Sequence, residues 1–355
     1  MNWKFYSTGE TAWEAMLADC LSAKESIDIE QFIFELDHIG RKFVDILEKK
    51  KSEGVKIRIL CDAVGSYSFL NSSTEKSLLR QGIEVKFYNP VQPWRIGNFS
   101  SWFLRDHRKL LIIDKKIVHT GGVGITDRMK NWRDTNIRLE GGVVAEALSV
   151  FEQMWLAAPK HKFSKFKTLV TADTDFSFLV NSPRFRGRYV YKNLLRTIKN
   201  SKEYLYLTTP YFVPSIRIFA ALNRAAKRGV DVRLLLPKYS DVHTADIAAG
   251  SYFILALRAG IKIYLYDAGR ILHSKTGVSD DTWGSVGSAN IDNLSLLLNH
   301  EGNIVGRNPE FIRELKNQFL HDISESKLVT YEEWKNRPFL RKVMEFLTWP
   351  IHQVL

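Results

Sequence analysis

The chain has 355 residues, room for two domains of ordinary size, and 45% of them are apolar, which excludes a disordered or fibrous class. Its 51 Lys and Arg stand against 39 Asp and Glu, and the resulting charge of +12 points to a polyanionic partner, a nucleic acid or an anionic lipid surface. Only two cysteines occur, no apolar leader core lies within Met1 to Glu10, and no apolar run reaches the membrane-spanning length of about 18 residues, so the expectation is a reduced chain without disulfides, signal peptide or membrane span.

In chain order, Trp13, Met16, Leu17, Cys20 and Leu21 fall on one helix face. Ser22 to Phe34 reads as a helix end running into a strand. A helix follows over Arg41 to Ser52, then a strand over Gly54 to Leu60, closed by Cys61, and another over Gly82 to Tyr88. Both cysteines are expected in the core. Pro90 to Arg105 interleaves Trp94, Phe99, Trp102 and Phe103 with Arg95 and Arg105, a composition suited to a bilayer headgroup boundary, to a lid packed on its own domain, or to a base-stacking platform. His107, Lys109, Asp114 and Gly121 come next, followed by Asp134. Patterning lapses between Lys160 and Ser182, where a domain boundary is expected; the basic run Lys160 to Lys167 is a solvated linker or an anionic-lipid patch.

The order then repeats. Asn200 to Phe212 matches Ser22 to Phe34, Gly229 to Leu235 matches Gly54 to Leu60, and Gly260 to Tyr266 matches Gly82 to Tyr88. A helix over Ile216 to Lys227 sits where Arg41 to Ser52 sits in the first half. Tyr266 is followed after only six residues by His273, against 18 between Tyr88 and His107, so the Pro90 to Arg105 segment is an insertion of about a dozen residues in the first half. His273, Lys275, Asp280 and Gly287 repeat the offsets of the first motif 166 residues later. The last segment, Pro338 to Leu355, is apolar with Arg341 and Lys342 on it; it covers the core or lies in a membrane interface with Phe339, Leu340, Val343, Met344, Phe346 and Leu347 buried.

Two histidines and two lysines in a tandem pattern suit displacement at a phosphodiester. A neutral imidazole attacks phosphorus to form a phosphohistidine while a protonated one donates to the leaving alkoxide, and the lysines hold the non-bridging oxygens. The scheme requires neither metal nor cofactor. The other histidines, among them His119 and His300, lack a lysine two residues on.

The motifs His-x-Lys-(x4)-Asp and Gly287-Ser288-Ala289-Asn290 identify the chain as resembling the phospholipase D superfamily, over about Thr8 to Leu328, and bacterial cardiolipin synthases within it. The first copy departs from the pattern, with Gly121-Gly122-Val123-Gly124 where a serine and an asparagine are usual. The resemblance implies a catalytic set of His107, Lys109, Asp114, His273, Lys275 and Asp280, the two aspartates supporting the motif. Asp134 and Glu301, 27 and 28 residues after their histidines, are implied to orient the imidazoles, and Ser288, Asn290 and the backbone at Gly122 to bind phosphate.

The fold implied is α/β, two pseudo-twofold-related α/β/α sandwich domains of the phospholipase D type with mixed, largely parallel sheets and one active site at their interface. The domains are expected at 1–165 and 166–330, with an apolar-basic helical tail at 331–355. The expected activity is a cardiolipin synthase-type phosphatidyltransferase, His107 the nucleophile and His273 the general acid, working on phospholipids at the cytoplasmic face of a bacterial membrane, held peripherally through 90–105 and 338–355. A phospholipase D hydrolase is the alternative. A nuclease is the other, and nucleic acid is disfavoured as a partner because such an enzyme has no need of an apolar tail.

Overall fold

The structure, a computed structural model, describes residues 2–91, 104–158, 175–183 and 187–348. The first half runs β1 (Trp3–Thr8), α1 (Gly9–Ser22), β2 (Ser26–Gln31), α2 (His38–Ser52), β3 (Lys56–Asp62), α3 (Ser73–Arg80), β4 (Glu84–Tyr88), β5 (Leu110–Ile113), β6 (Ile117–Gly121), β7 (Arg133–Glu140) and α4 (Val143–Ala157). The second runs β8 (Phe176–Asn181), α5 (Tyr189–Asn200), β9 (Tyr204–Thr208), β10 (Phe212–Val213), α6 (Ile216–Lys227), β11 (Asp231–Pro237), α7 (His243–Arg258), β12 (Lys262–Tyr266), β13 (Thr276–Ser279), β14 (Trp283–Gly287) and β15 (Ile291–Asp292). A π-helical turn (Leu294–Leu298), β16 (Glu301–Gly306), α8 (Pro309–Ser324), β17 (Ser326–Val329), α9 (Tyr331–Lys335) and α10 (Phe339–Leu347) complete it.

Local chemistry explains the elements. Helix α2 starts where the Asp37 carboxylate accepts the Gly40 N–H at 3.1 Å, and its Ile39, Phe43, Val44 and Leu47 are buried at helical spacing. Helix α8 starts at Asn308, whose side chain caps Glu310 and Phe311 ahead of Pro309 in the first turn. Cys20 and Cys61 are buried, unpaired thiols.

Seven strands form one sheet in the order β1-β7-β6-β5-β2-β3-β4, and eight form the other in the order β17-β12-β11-β9-β13-β14-β16-β8. The repeat read from the sequence is thus a repeat of structure: β2, β3 and β4 pair in parallel, as do β9, β11 and β12. The expectation of largely parallel sheets is corrected. Each motif is itself a hairpin, β5–β6 and β13–β14, and the strands flanking it pair antiparallel, so parallel pairs are the minority in both sheets.

The halves share a core. Strands β6 and β7 pack against β14 and β16. Phe311 of α8 lies against Trp3 and Phe5 of the first sheet, ring centroids 5.8 and 5.3 Å away, and the Glu146 carboxylate of α4 accepts the N–H of Phe178 at 2.7 Å. Buried apolar residues cross the seam without a break, which fixes the relative placement of the two motifs.

Helices α9 and α10 fold back on α7. Trp334 is buried, with its ring 4.6 Å from Phe253 and its indole N–H donating to Gly250 O at 3.1 Å. Helix α10 is inverted in polarity: Glu345, only 2% exposed, faces inward to Arg337, while Phe339 and Phe346 are 80% and 76% exposed and Leu340 and Leu347 are exposed beside them. Residues 349–355 of the expected tail and residues 92–103 of the aromatic insertion lie outside the described residues. Among the described residues no helix is long and apolar enough to cross a membrane.

Candidate active site

The motif aspartates build the hairpins. Asp114 and Lys115 both take positive φ, 50° and 56°, as do Asp280 and Asp281, 50° and 51°, the backbone of a primed turn inside a three-residue hairpin loop. The Asp114 carboxylate accepts the N–H groups of Lys24, Glu25 and Ser26 at 2.7 to 2.9 Å, and Asp280 accepts those of Lys202, Glu203 and Tyr204 at 2.8 to 3.0 Å. At Asp114 burial opposes ionisation, but the three backbone N–H groups together outweigh it and hold the carboxyl below its usual range. Neither aspartate lines the cavity described below; each anchors its hairpin to the strand beside it.

The histidines precede these hairpins, and each is held by the opposite domain. His107 N–H donates to His300 O at 2.9 Å, and its Nδ1 lies 2.9 Å from Glu301 Oε1 at the start of β16. Reciprocally, His273 N–H donates to Arg133 O at 2.8 Å, and its Nδ1 lies 2.7 Å from Asp134 Oδ2 at the start of β7. A carboxylate only accepts, so Nδ1–H is the donor in both pairs and Nε2 is left for chemistry. The seam is clamped beside this contact. Arg133 donates through Nε and Nη2 to the two Asp322 oxygens of α8 at 2.8 and 2.7 Å, and the Thr135 and Ser274 hydroxyls lie 2.7 Å apart.

Both imidazoles open on one cavity of about 450 Å³. Phe32 stands edge-on to His107 at 4.9 Å and Trp132 to His273 at 5.1 Å. Lys109 also lines it, its ammonium donating to His107 O at 2.8 Å. The Lys275 ammonium donates to His273 O and lies 2.9 Å from His273 Nδ1, farther than the carboxylate.

Burial dominates the electrostatics. It pushes the His107 imidazole below its ordinary value, against the pull of Glu301, and takes His273 down to about 4 with help from the Lys275 charge. Both rings are therefore neutral near pH 7 while no anion is bound. The lysines are lowered for the same reason, Lys109 to about 7 and Lys275 to about 8, despite the carboxylates nearby.

The glycine and serine of the two motifs differ for a local reason. Ser288 is fully buried; its hydroxyl donates to Glu301 Oε2 and accepts the Gly302 N–H at 3.0 Å, so it steadies the carboxylate behind His107 and does not line the cavity. At Gly122 a Cβ would lie 2.2 Å from Asp134 Oδ1, so the shorter carboxylate occupies the space a side chain needs. Asn290 lines the cavity, its amide nitrogen turned to Asp292 and its Oδ1 buried with no protein partner. Gly124, its counterpart, has space for a Cβ, the nearest atoms lying 3.4 Å away on Ile33 and Met129.

Several lining residues escape the motif reading: Phe32, Trp132, Tyr211, Asp241 and Asp292. Phe32 and Tyr211 follow the first parallel strand of each repeat but stand one position apart in the match of the two halves, so the repeat does not single them out.

Two carboxylates crossed over two imidazoles around one cavity, set in a pair of α/β domains, are the arrangement expected of a phospholipase D-like protein. The model of the family "Cardiolipin synthase, PLD-like domain" matches residues 16–155 and 194–323, and the chain belongs to that family. It is 32% identical over 353 residues to cardiolipin synthase of Geobacillus kaustophilus, covering 96% of this chain and 69% of that one, and 32% identical over 357 residues to cardiolipin synthase of Clostridium perfringens, covering 96% and 74%. Its fold matches the phosphatidylserine synthase of Haemophilus influenzae with a TM-score of 0.78 at 12% identity, over 99% of this chain and 95% of that one.

Proposed function

We propose that the protein is a phosphatidyltransferase that makes cardiolipin from phosphatidylglycerol. His107 Nε2 attacks the phosphorus, the bond from phosphorus to the glycerol oxygen breaks, and the departing oxygen takes a proton from His273. In the second step the hydroxyl of another phosphatidylglycerol attacks phosphorus, giving its proton back to His273 as the bond to His107 breaks. Lys109 and Lys275 hold the charge that builds on the non-bridging oxygens. The low proton affinity of the buried His273 ring makes its imidazolium, once formed beside the anion, a strong donor.

The observation that carries this reading is the crossed pairing of His107 with Glu301 and His273 with Asp134 around one cavity. A lipid rather than a nucleic acid is favoured by α10, which turns phenylalanines and leucines outward and its glutamate inward. Such a face fits the interface of an anionic bilayer, at the cytoplasmic face of a bacterial membrane, with the charge of +12 adding attraction. Purified protein given phosphatidylglycerol vesicles is expected to release glycerol and form cardiolipin. Phosphatidic acid as the main product would mark a hydrolase, and cleavage of DNA without action on vesicles a nuclease.

A further inference from the structure

The cavity has unlike walls. The cationic side chains of its lining, Arg105, Lys109 and Arg128, come from the first domain, and its carboxylates, Asp241 and Asp292, come from the second. Asp292 is buried, with Oδ1 accepting the Ser295 N–H at 2.6 Å and the Asn290 amide turned to it, and this leaves Asn290 Oδ1 buried and unpartnered. Asp241, exposed at the rim, accepts the Tyr211 hydroxyl at 2.7 Å, and the Tyr211 ring lies 6.4 Å from the His273 ring. The side of the cavity next to His273 is therefore a wall of acceptors. It offers lone pairs to hydroxyl donors, and burial raises the Asp292 carboxyl to about 7.

The wall exists only once. Where the second motif runs from Gly287 to Asp292, the first runs from Gly121 to Thr126, with Gly124 in place of Asn290 and Thr126 in place of Asp292. Thr126 is itself occupied, donating to Glu35 Oε2 at 2.5 Å. In-line displacement puts the attacking imidazole and the departing oxygen on opposite sides of phosphorus, so one side needs to recognise an alcohol and the other does not. We infer that Asn290, Asp292 and Asp241 form a polyol subsite, which takes the free hydroxyls of the glycerol headgroup as it leaves and of the alcohol that replaces it. This rests on the reading of the cavity as a site of phosphatidyl transfer, and it places the alcohol beside His273, the ring that handles its proton.

The test compares alcohols. Full-length protein is incubated with phosphatidylglycerol vesicles and equal concentrations of labelled glycerol and labelled ethanol, which lacks the extra hydroxyls, and the two exchange products are counted. Wild type is expected to favour glycerol by roughly tenfold or more, and both Asp292→Asn, which keeps the acceptor for Ser295, and the rim variant Asp241→Asn are expected to erase most of that preference. No preference in wild type, or variants that slow both alcohols equally, overturns the subsite while leaving transfer intact. If only phosphatidic acid appears, the transfer reading fails, and the subsite is then read from hydrolysis of phosphatidylglycerol against phosphatidylethanol, with the same expected loss of preference and the same refutation.

Discussion

Glu301, from the second domain, holds the Nδ1 of His107, from the first, at 2.9 Å, and Asp134 returns the arrangement to His273 at 2.7 Å. Neither domain completes a histidine alone. Glu301→Gln and Asp134→Asn are expected to fold normally yet lose activity by roughly 10²- to 10⁴-fold, because an amide no longer fixes the Nδ1–H tautomer or steadies an imidazolium. Circular dichroism with turnover on phosphatidylglycerol checks this; near-normal rates in both variants would contradict the orienting role.

Ser288 and Gly122 occupy equivalent places, and a change to alanine harms each for an opposite reason, a lost hydroxyl at one and an added methyl at the other. Ser288→Ala removes the donor to a buried carboxylate oxygen and is expected to cost about 1 to 3 kcal/mol in stability, read as a fall in Tm. Gly122→Ala drives a methyl into Asp134 Oδ1 and is expected to disable His273, so that turnover falls far more than in Ser288→Ala. Equal, mild effects of the two changes would show that the carboxylates are not packed as described.

The lysines set an alkaline limit. With Lys109 near 7 and Lys275 near 8, both lose their protons in the free enzyme as pH rises through that range, and kcat/KM is expected to fall with them. A bound phosphodiester raises both, so the alkaline limb of kcat lies at higher pH than that of kcat/KM. Stability moves the other way. The unfolded chain keeps its lysines protonated to about pH 10.4, so between about pH 7 and 10 it binds more protons than the native state, and these two groups make stability rise with pH. Coincident limbs for kcat and kcat/KM would contradict the assignment.

The outward face of α10 is expected to bind membranes. Phe339→Ser with Phe346→Ser should weaken sedimentation with phosphatidylglycerol vesicles by roughly tenfold or more, since each phenylalanine buried in lipid contributes on the order of 1.5 to 3 kcal/mol. Cleavage of a soluble phosphodiester should be unchanged, because α10 contributes nothing to the lining of the cavity that holds the histidines. Unaltered sedimentation would remove α10 from the membrane contact.

Much of this was legible because the repeat is short-range. The alternation of strand and helix from Ser22 to Tyr88 recurs from Asn200 to Tyr266, and the paired histidines, lysines and trailing acids stand at nearly equal offsets. The crossing of Glu301 and Asp134 was not legible, since offsets of 27 and 28 residues describe each half by itself while the contact is made where β7 and β16 meet the other domain. Strand direction is hidden from the sequence for a related reason. The motif spacing encodes a hairpin whose turn begins at Asp114 or Asp280, and only the positive φ at those residues reveals it. Ser288 was expected at the phosphate, but depth beneath the surface, which spacing does not carry, decides that its hydroxyl meets Glu301.

The central claim is that two imidazoles act in turn on one phosphorus, and it is tested most directly by trapping the intermediate. A phosphatidyl ester of p-nitrophenol needs no acid to depart, so His273→Ala is expected to release one equivalent of nitrophenol in a burst and to retain a phosphatidyl group on His107, found by mass spectrometry of the peptide, while His107→Ala releases none. Steady nitrophenol release from His107→Ala, or a burst that leaves His107 unmodified, would contradict the account.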